Sequence, residues 1–289
     1  MNTLRPCGCK GIRTCLECEQ SFAIDKKDFF QDYQSRKPFV FCPSCSLLFP
    51  GWDVESTVQD HPNHKEQGIH FPGMFVEENF LSDEEGTDVT LKLDEIPWIG
   101  SQSGRRKQNF GPKTNFKKRK LKNGEFNGFP DFTKFIQEKF EKTALLKSFQ
   151  TIEQCSLEYD DSKGASIDPH VDDCWIWGER VVTKYNLDLV QEYEKHLIEP
   201  LLSDEKLKVY EDMVIRVPMP NLSLMVMYGP ARYQFEHAVL REDIKGRRVC
   251  IAYREFTPMY LDTGSEYDKS QLVLENARKF ENPSILFVH

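Results

Sequence analysis

From Thr151 onward the chain is a succession of short runs of strand-forming residues divided by turn signals. They read TIEQCSLEYD, GASIDPHVDDC, MVIRVPMPN, LSLMVMYG, YQFEHAVL and RRVCIAYREFTPM. Val, Ile, Tyr and Phe alternating with polar residues suit a pleated, half-buried surface. Many such strands in series must cover one another's apolar faces, which predicts a sandwich or closed sheet with helices packed outside. Two helices are expected ahead of them, making the chain α+β. Ser82 caps the first, Glu85 completes a capping box, and the helix stops before Pro97. Asp131 opens the second, FTKFIQEKFEKTALL, whose Phe132, Phe135, Ile136 and Phe140 recur at helical spacing and read as a core-facing stripe. A short amphipathic helix is expected near the end, in SQLVLENARKF.

A chain of 289 residues with 39% hydrophobic residues and 21 Phe buries a substantial core with room for one small appendage. That composition excludes a disordered chain. The longest apolar run, LSLMVMYG, is too short to span a bilayer, and MNTLRPCGCK lacks the apolar stretch of a signal peptide. A soluble intracellular protein is expected. Net charge of −8 excludes a uniformly basic surface, yet residues 101–122 hold nine Lys or Arg and no acid. Phe110 and Phe116 lie among those cations. Phosphate neutralisation with aromatic stacking is how single-stranded nucleic acid is often held.

Of the nine cysteines, Cys7, Cys9, Cys15, Cys18, Cys42 and Cys45 fall near the N-terminus. In a reducing compartment such density favours metal ligation over disulfides. The C-x2-C pairs at 15/18 and 42/45 point to tetrahedral zinc. Two ligand sets stay open: Cys7, Cys9, Cys15 and Cys18, or Cys15, Cys18, Cys42 and Cys45. The expected organisation is a Cys-rich segment 1–50, a polar linker 51–68, a main domain 69–258 and a tail 259–289.

Residues i and i+2 of a strand share a face, so PHVDD sends His170 and Asp172 the same way. Asp173 lacks that parity. His237, in YQFEHAVL, is the best candidate for a third corner. Two His and one carboxylate on a triangular face with open positions are the donor set of non-haem Fe(II) oxygenases. Downstream, RRVCIAYRE places Arg248, Cys250, Ala252 and Arg254 on one strand face, while Arg247 lies on the other. Paired guanidinium forks between small residues suit a dicarboxylate.

The combination H-x-D, His237 and R-x5-R resembles the AlkB branch of the Fe(II)/2-oxoglutarate dioxygenases. SGRRKQNFGP (103–112) is similar to the family's substrate-lid segment, and LEYD (157–160) to its N-x-Y, with Leu157 where the family has Asn. The resemblance implies a double-stranded β-helix (jelly-roll) core. It implies that His170, Asp172 and His237 ligate Fe(II). Arg248 and Arg254 would bind the carboxylates of 2-oxoglutarate, and Tyr159 would donate to it. A lid spanning 101–122 would use Arg105, Arg106, Lys107 and Phe110. Oxidative decarboxylation of 2-oxoglutarate with O2 would hydroxylate a substrate C–H bond, releasing formaldehyde where that bond is in an N-methyl group. CGCKGIRTCLEC, SQSGRRKQ and HVDDCWIWGER resemble one animal subgroup. That subgroup implies demethylation of protein lysine, with actin or actomyosin as partner, and of N6-methyladenine in DNA, in cytoplasm and nucleus. A competing reading is a zinc-bearing adaptor that uses a dioxygenase scaffold as an interaction surface.

Overall fold

The computed structural model describes residues 5–122, 126–180 and 197–282, so the last part of the expected tail lies outside them. The N-terminal part holds helices α1 (Leu16–Phe22) and α2 (Phe29–Gln34), strands β1 (Lys37–Cys42) and β2 (Leu47–Pro50), and helix α3 (Val54–Gln59). Short strands β3 (Ile69–His70) and β4 (Met74–Glu77) precede helix α4 (Asp83–Asp94). Next come β5 (Ile99–Gly100), β6 (Arg106–Phe110), the hairpin of β7 (Lys113–Asn115) and β8 (Lys120–Lys122), and β9 (Phe129–Pro130). After helix α5 (Lys134–Phe140) the strands are β10 (Glu153–Asp160), β11 (Ile167–His170), β12 (Met213–Arg216), β13 (Leu224–Met227), β14 (His237–Val239), β15 (Arg247–Arg254) and β16 (Phe280–Glu281).

The architecture is mixed α+β. One four-stranded sheet runs β15–β10–β6–β5 and another β12–β1–β2–β3, with two-stranded ladders β11–β14 and β4–β13 between them in sequence. The longest ladder joins β10 and β15 in antiparallel register from Glu153↔Arg254 to Asp160↔Arg247. Directly opposite residues share a face. Cys155, Leu157 and Tyr159 therefore lie on the face of Cys250 and Arg248, and Val249, Ile251 and Tyr253 turn to the back. The back face packs on α4 and α5 through Val89, Leu93, Ile136 and Phe140. Burying these apolar side chains contributes roughly 1.5–3 kcal/mol each.

Local signals explain the helices. Ser82 and Glu85 form the capping box reciprocally, and α4 ends before Pro97 as expected. The stripe of α5 behaves as core: Ile136 and Phe140 are buried, with Phe132 and Phe135 half-buried beside them. Asp131 does not cap α5 itself; it starts a one-turn 3-10 segment, Asp131–Thr133, which feeds the helix. The expected C-terminal helix spans Tyr267–Asn276.

The first 50 residues are woven into the molecule. β1 pairs in parallel with β12, from Lys37↔Met213 to Val40↔Arg216. Glu19 receives Arg241 through two 2.9 Å bonds, and Lys26 meets Asp168 at 2.9 Å, two residues before His170. Gly8 (φ +89°) lets its backbone approach Gly100, where a Cβ would lie 2.6 Å from the carbonyl carbon. The stretch 51–68, expected as a polar linker, contains α3, capped by Asp53.

Candidate active site

Two short strands present the histidines. His170 ends β11, His237 begins β14, and the two are cross-strand partners. Their ring centroids lie 4.2 Å apart, and His170 Nε2 is 3.3 Å from Asp172 Oδ1. β11 stops at His170, so Asp172 is carried by the following loop; the same-face relation survives because Val171 turns inward and is buried. The donor atoms of His170, Asp172 and His237 all lie within 4.8 Å of one another.

This donor set fits a divalent metal on the chain's own evidence. His237 Nε2 is buried without a hydrogen-bond partner. Burial, aided by the neighbouring His170, pushes its pKa down to about 3, leaving a neutral ring with an available lone pair at neutral pH. The Nδ1 of His170 sits 2.8 Å from the Asp168 carbonyl, which directs its Nε2 into the site.

The two arginines of β15 share a face, as strand parity requires, and do different work. Six residues of strand separate their Cα atoms by about 20 Å, so they serve different ends of the site. Arg254 is already engaged, with Nη1 on Glu153 at 2.5 Å and Nη2 on Asp172 at 3.3 Å. Burial disfavours its charge, but Glu153 and Asp172 outweigh this and raise its pKa. Arg248 is different. Among the described residues its buried Nη1 has no partner, its Nη2 lies 3.4 Å from the Met219 thioether, and the guanidinium lies over the Tyr159 ring at 5.1 Å. A guanidinium fork has the planar donor geometry that matches a carboxylate. Burial raises the Tyr159 phenol well above its usual range, so its hydroxyl stays a donor. Leu157 lies beside it in the groove, opposite Cys250, and offers no polar contact.

The same parity divides the expected lid. β6 pairs with β10 through Lys107↔Leu157 and Arg106↔Glu158. Lys107 therefore faces the groove, and Arg105, just before the strand, lies over Tyr159 at 5.9 Å. Arg106 turns to the back face, where it pairs with Glu158 beside the Arg247–Asp94 pair. Phe110 is 5% exposed within the cluster of Ile96, Phe129 and Trp177. That is a correction to its expected contact role: a buried ring cannot stack on a base. Phe116 is 48% exposed at the tip of the β7–β8 hairpin.

The cysteines separate into two groups. Sγ atoms of Cys7, Cys9, Cys15 and Cys18 cluster within 4.8 Å, with Cys7 and Cys18 3.3 Å apart. The alternative tetrad of Cys15, Cys18, Cys42 and Cys45 does not form: Cys42 and Cys45 instead stand beside His61 and His64. Sequence reading had passed over these two histidines. The available signal was H-x2-H following an otherwise unpaired C-x2-C.

No family-level profile matches the chain. Curated relatives do. A Homo sapiens protein named alpha-ketoglutarate-dependent dioxygenase alkB homolog 4 is 33% identical across 96% of this chain and 95% of its own length. The Mus musculus protein of the same name is 33% identical across 97% of both. A Caenorhabditis elegans protein named DNA N6-methyl adenine demethylase is 31% identical across 91% of both. With the triad, the open guanidinium and this full-length similarity together, the chain belongs to the AlkB branch of the alpha-ketoglutarate-dependent dioxygenases and is an Fe(II)/2-oxoglutarate-dependent enzyme.

Proposed function

We propose that the enzyme is an oxidative demethylase that removes N-methyl groups. The observation that carries this is the pair of unpartnered buried polar atoms, His237 Nε2 and Arg248 Nη1, lining one groove. One waits for a metal and the other for an anion. Fe(II) held by His170, Asp172 and His237 supplies oxidative decarboxylation of 2-oxoglutarate with O2 and hydroxylation of a C–H bond.

The chain's own residues bind and orient. Arg248 takes the distal carboxylate of the cosubstrate, and Tyr159 donates to it. Arg254 holds Asp172 in its ligating position while Glu153 balances the remaining charge. Lys107 and Arg105 sit on the groove side, where a substrate enters. We assign the main domain 69–258 a jelly-roll core, a reading supported by the facing β11–β14 and β10–β15 ladders.

For the substrate we propose methylated lysine in a protein, an actin-like partner, on the resemblance of the N-terminal and lid motifs to their subgroup. The net charge of −8 supports a protein over a polyphosphate chain. One observation favours a second reading, N6-methyladenine in DNA. The β7–β8 hairpin is strongly cationic and carries the exposed Phe116, and one relative is named for that activity. Formaldehyde release from methylated peptides and methylated oligonucleotides tests both, and reaction of oligonucleotides alone would overturn the lysine reading. We further propose zinc in the cluster of Cys7, Cys9, Cys15 and Cys18, and residence in cytoplasm and nucleus. None of the nine cysteines forms a disulfide, which suits a reducing compartment.

A further inference from the structure

We infer that Cys42, Cys45, His61 and His64 form a second metal centre, a closed Cys2His2 zinc site. Cys42 ends β1, and Cys45 lies in the turn that leads to β2. Ser46 takes a left-handed conformation (φ 59°), and its N–H donates to the Cys42 carbonyl at 2.9 Å. This C-P-S-C-S turn wraps both sulfurs to one side of the hairpin, whose register is Cys42↔Leu47.

The histidines arrive from the other direction. α3 ends at Gln59, and the chain turns through His61 N–H to the Val58 carbonyl at 3.3 Å and Asn63 N–H to the Asp60 carbonyl at 2.6 Å. His64 is then stacked on Phe49, centroids 3.7 Å apart and planes inclined 17°, which fixes the ring.

Geometry and chemistry agree. The four donor atoms lie within 4.8 Å of one another. With Zn–S near 2.3 Å and Zn–N near 2.0–2.1 Å, a tetrahedral edge between sulfur and nitrogen is about 3.6 Å. Cys45 Sγ and His64 Nε2 are 3.8 Å apart. His61 Nδ1 is buried with no hydrogen-bond partner, a cost that a metal ion at the centre of the group removes. Two thiolates and two neutral imidazoles balance one Zn(II). All four corners come from protein and no carboxylate belongs to the group, so the centre is structural and offers no catalytic position. It clamps the exit of α3 to the hairpin whose β1 supports β12.

The test uses the full chain with its triad filled by Fe(II) under anaerobic conditions, reconstituted with Zn(II). Zinc K-edge EXAFS should show a mixed sulfur and imidazole shell. The double variant His61→Ala/His64→Ala should lose one zinc equivalent per chain, and His70→Ala should lose none. An all-sulfur shell, or a zinc content unchanged in the double variant, overturns the site. Should that variant fail to fold, the shell of the unmodified protein decides the question alone.

Discussion

The triad and the Cys7–Cys18 cluster differ in how complete they are. His170, Asp172 and His237 supply three donors at the lip of a groove, and half-buried side chains leave the groove side accessible. Cys7, Cys9, Cys15 and Cys18 supply four, three of them nearly inaccessible. An incomplete set leaves coordination positions for cosubstrate and oxygen, whereas a complete one can only hold the chain together. Removing a ligand from the first should therefore cost chemistry and spare the fold, and from the second the reverse.

The sharpest way to break that contrast is His170→Ala. Succinate formation from 2-oxoglutarate should fall to background, a loss well beyond the 10–100-fold that an outer-shell change costs, roughly. The melting temperature should stay close to that of the unmodified protein, and unchanged turnover would sink the iron assignment. Arg248→Ala comes next. Losing a charge-assisted contact worth about 1.5–3 kcal/mol should raise KM for 2-oxoglutarate by roughly 10–100-fold with a smaller change in kcat. Arg248→Lys should rescue it only in part, since an ammonium lacks the planar fork.

On the other side, Cys9→Ser should release zinc and lower stability by about 3 kcal/mol, the linkage expected of a ligand present at some hundred times its Kd. Turnover per folded molecule should remain, as read by paired thermal melts and succinate assays. The smallest effect concerns the contact between the regions. Arg241, then Thr14, hold the Glu19 carboxyl below its usual 4.5, against the opposing effect of burial. A lowered folded-state pKa contributes stability fully above the unfolded value and loses it as pH falls through the folded one. Glu19→Gln should therefore cost about 1 kcal/mol near neutral pH. The difference from the unmodified protein should shrink only below 4.5. A gap that persists in acid would show that the pair contributes through shape alone.

Much of the site was legible because it obeys a period of two. Parity in PHVDD points to Asp172 over Asp173, and parity in RRVCIAYRE to Arg248 over Arg247; the β10–β15 ladder puts Arg248 on the groove face, and the Asp172 carboxylate converges with the histidines from the loop after β11. The same rule applied to SGRRKQNFGP separates Lys107 from Arg106 and Phe110. Turn residues within the strip mask that alternation in the sequence. That half the strip pairs with β10 depends on strands more than forty residues away, which local composition does not encode. His61 and His64 were obscured similarly, lying in a polar stretch whose partners sit across a hairpin and a helix. The different states of Arg248 and Arg254, one without an acidic partner for its buried Nη1 and one ion-paired through both terminal nitrogens, depend on Glu153 across the ladder and could not be read from spacing.

The alternation in β6 also bears on how this segment can change over time. Lys107 opens onto the groove while Phe110 is set in the core. Inserting or deleting one residue between them would put both on one face, so that either the cation is buried or the large ring is stranded in water. Length in this stretch is therefore under tighter restraint than identity. Variation in substrate preference should accumulate by replacement at Lys107 and Arg105, and by changes of length only beyond the strand, in the β7–β8 hairpin.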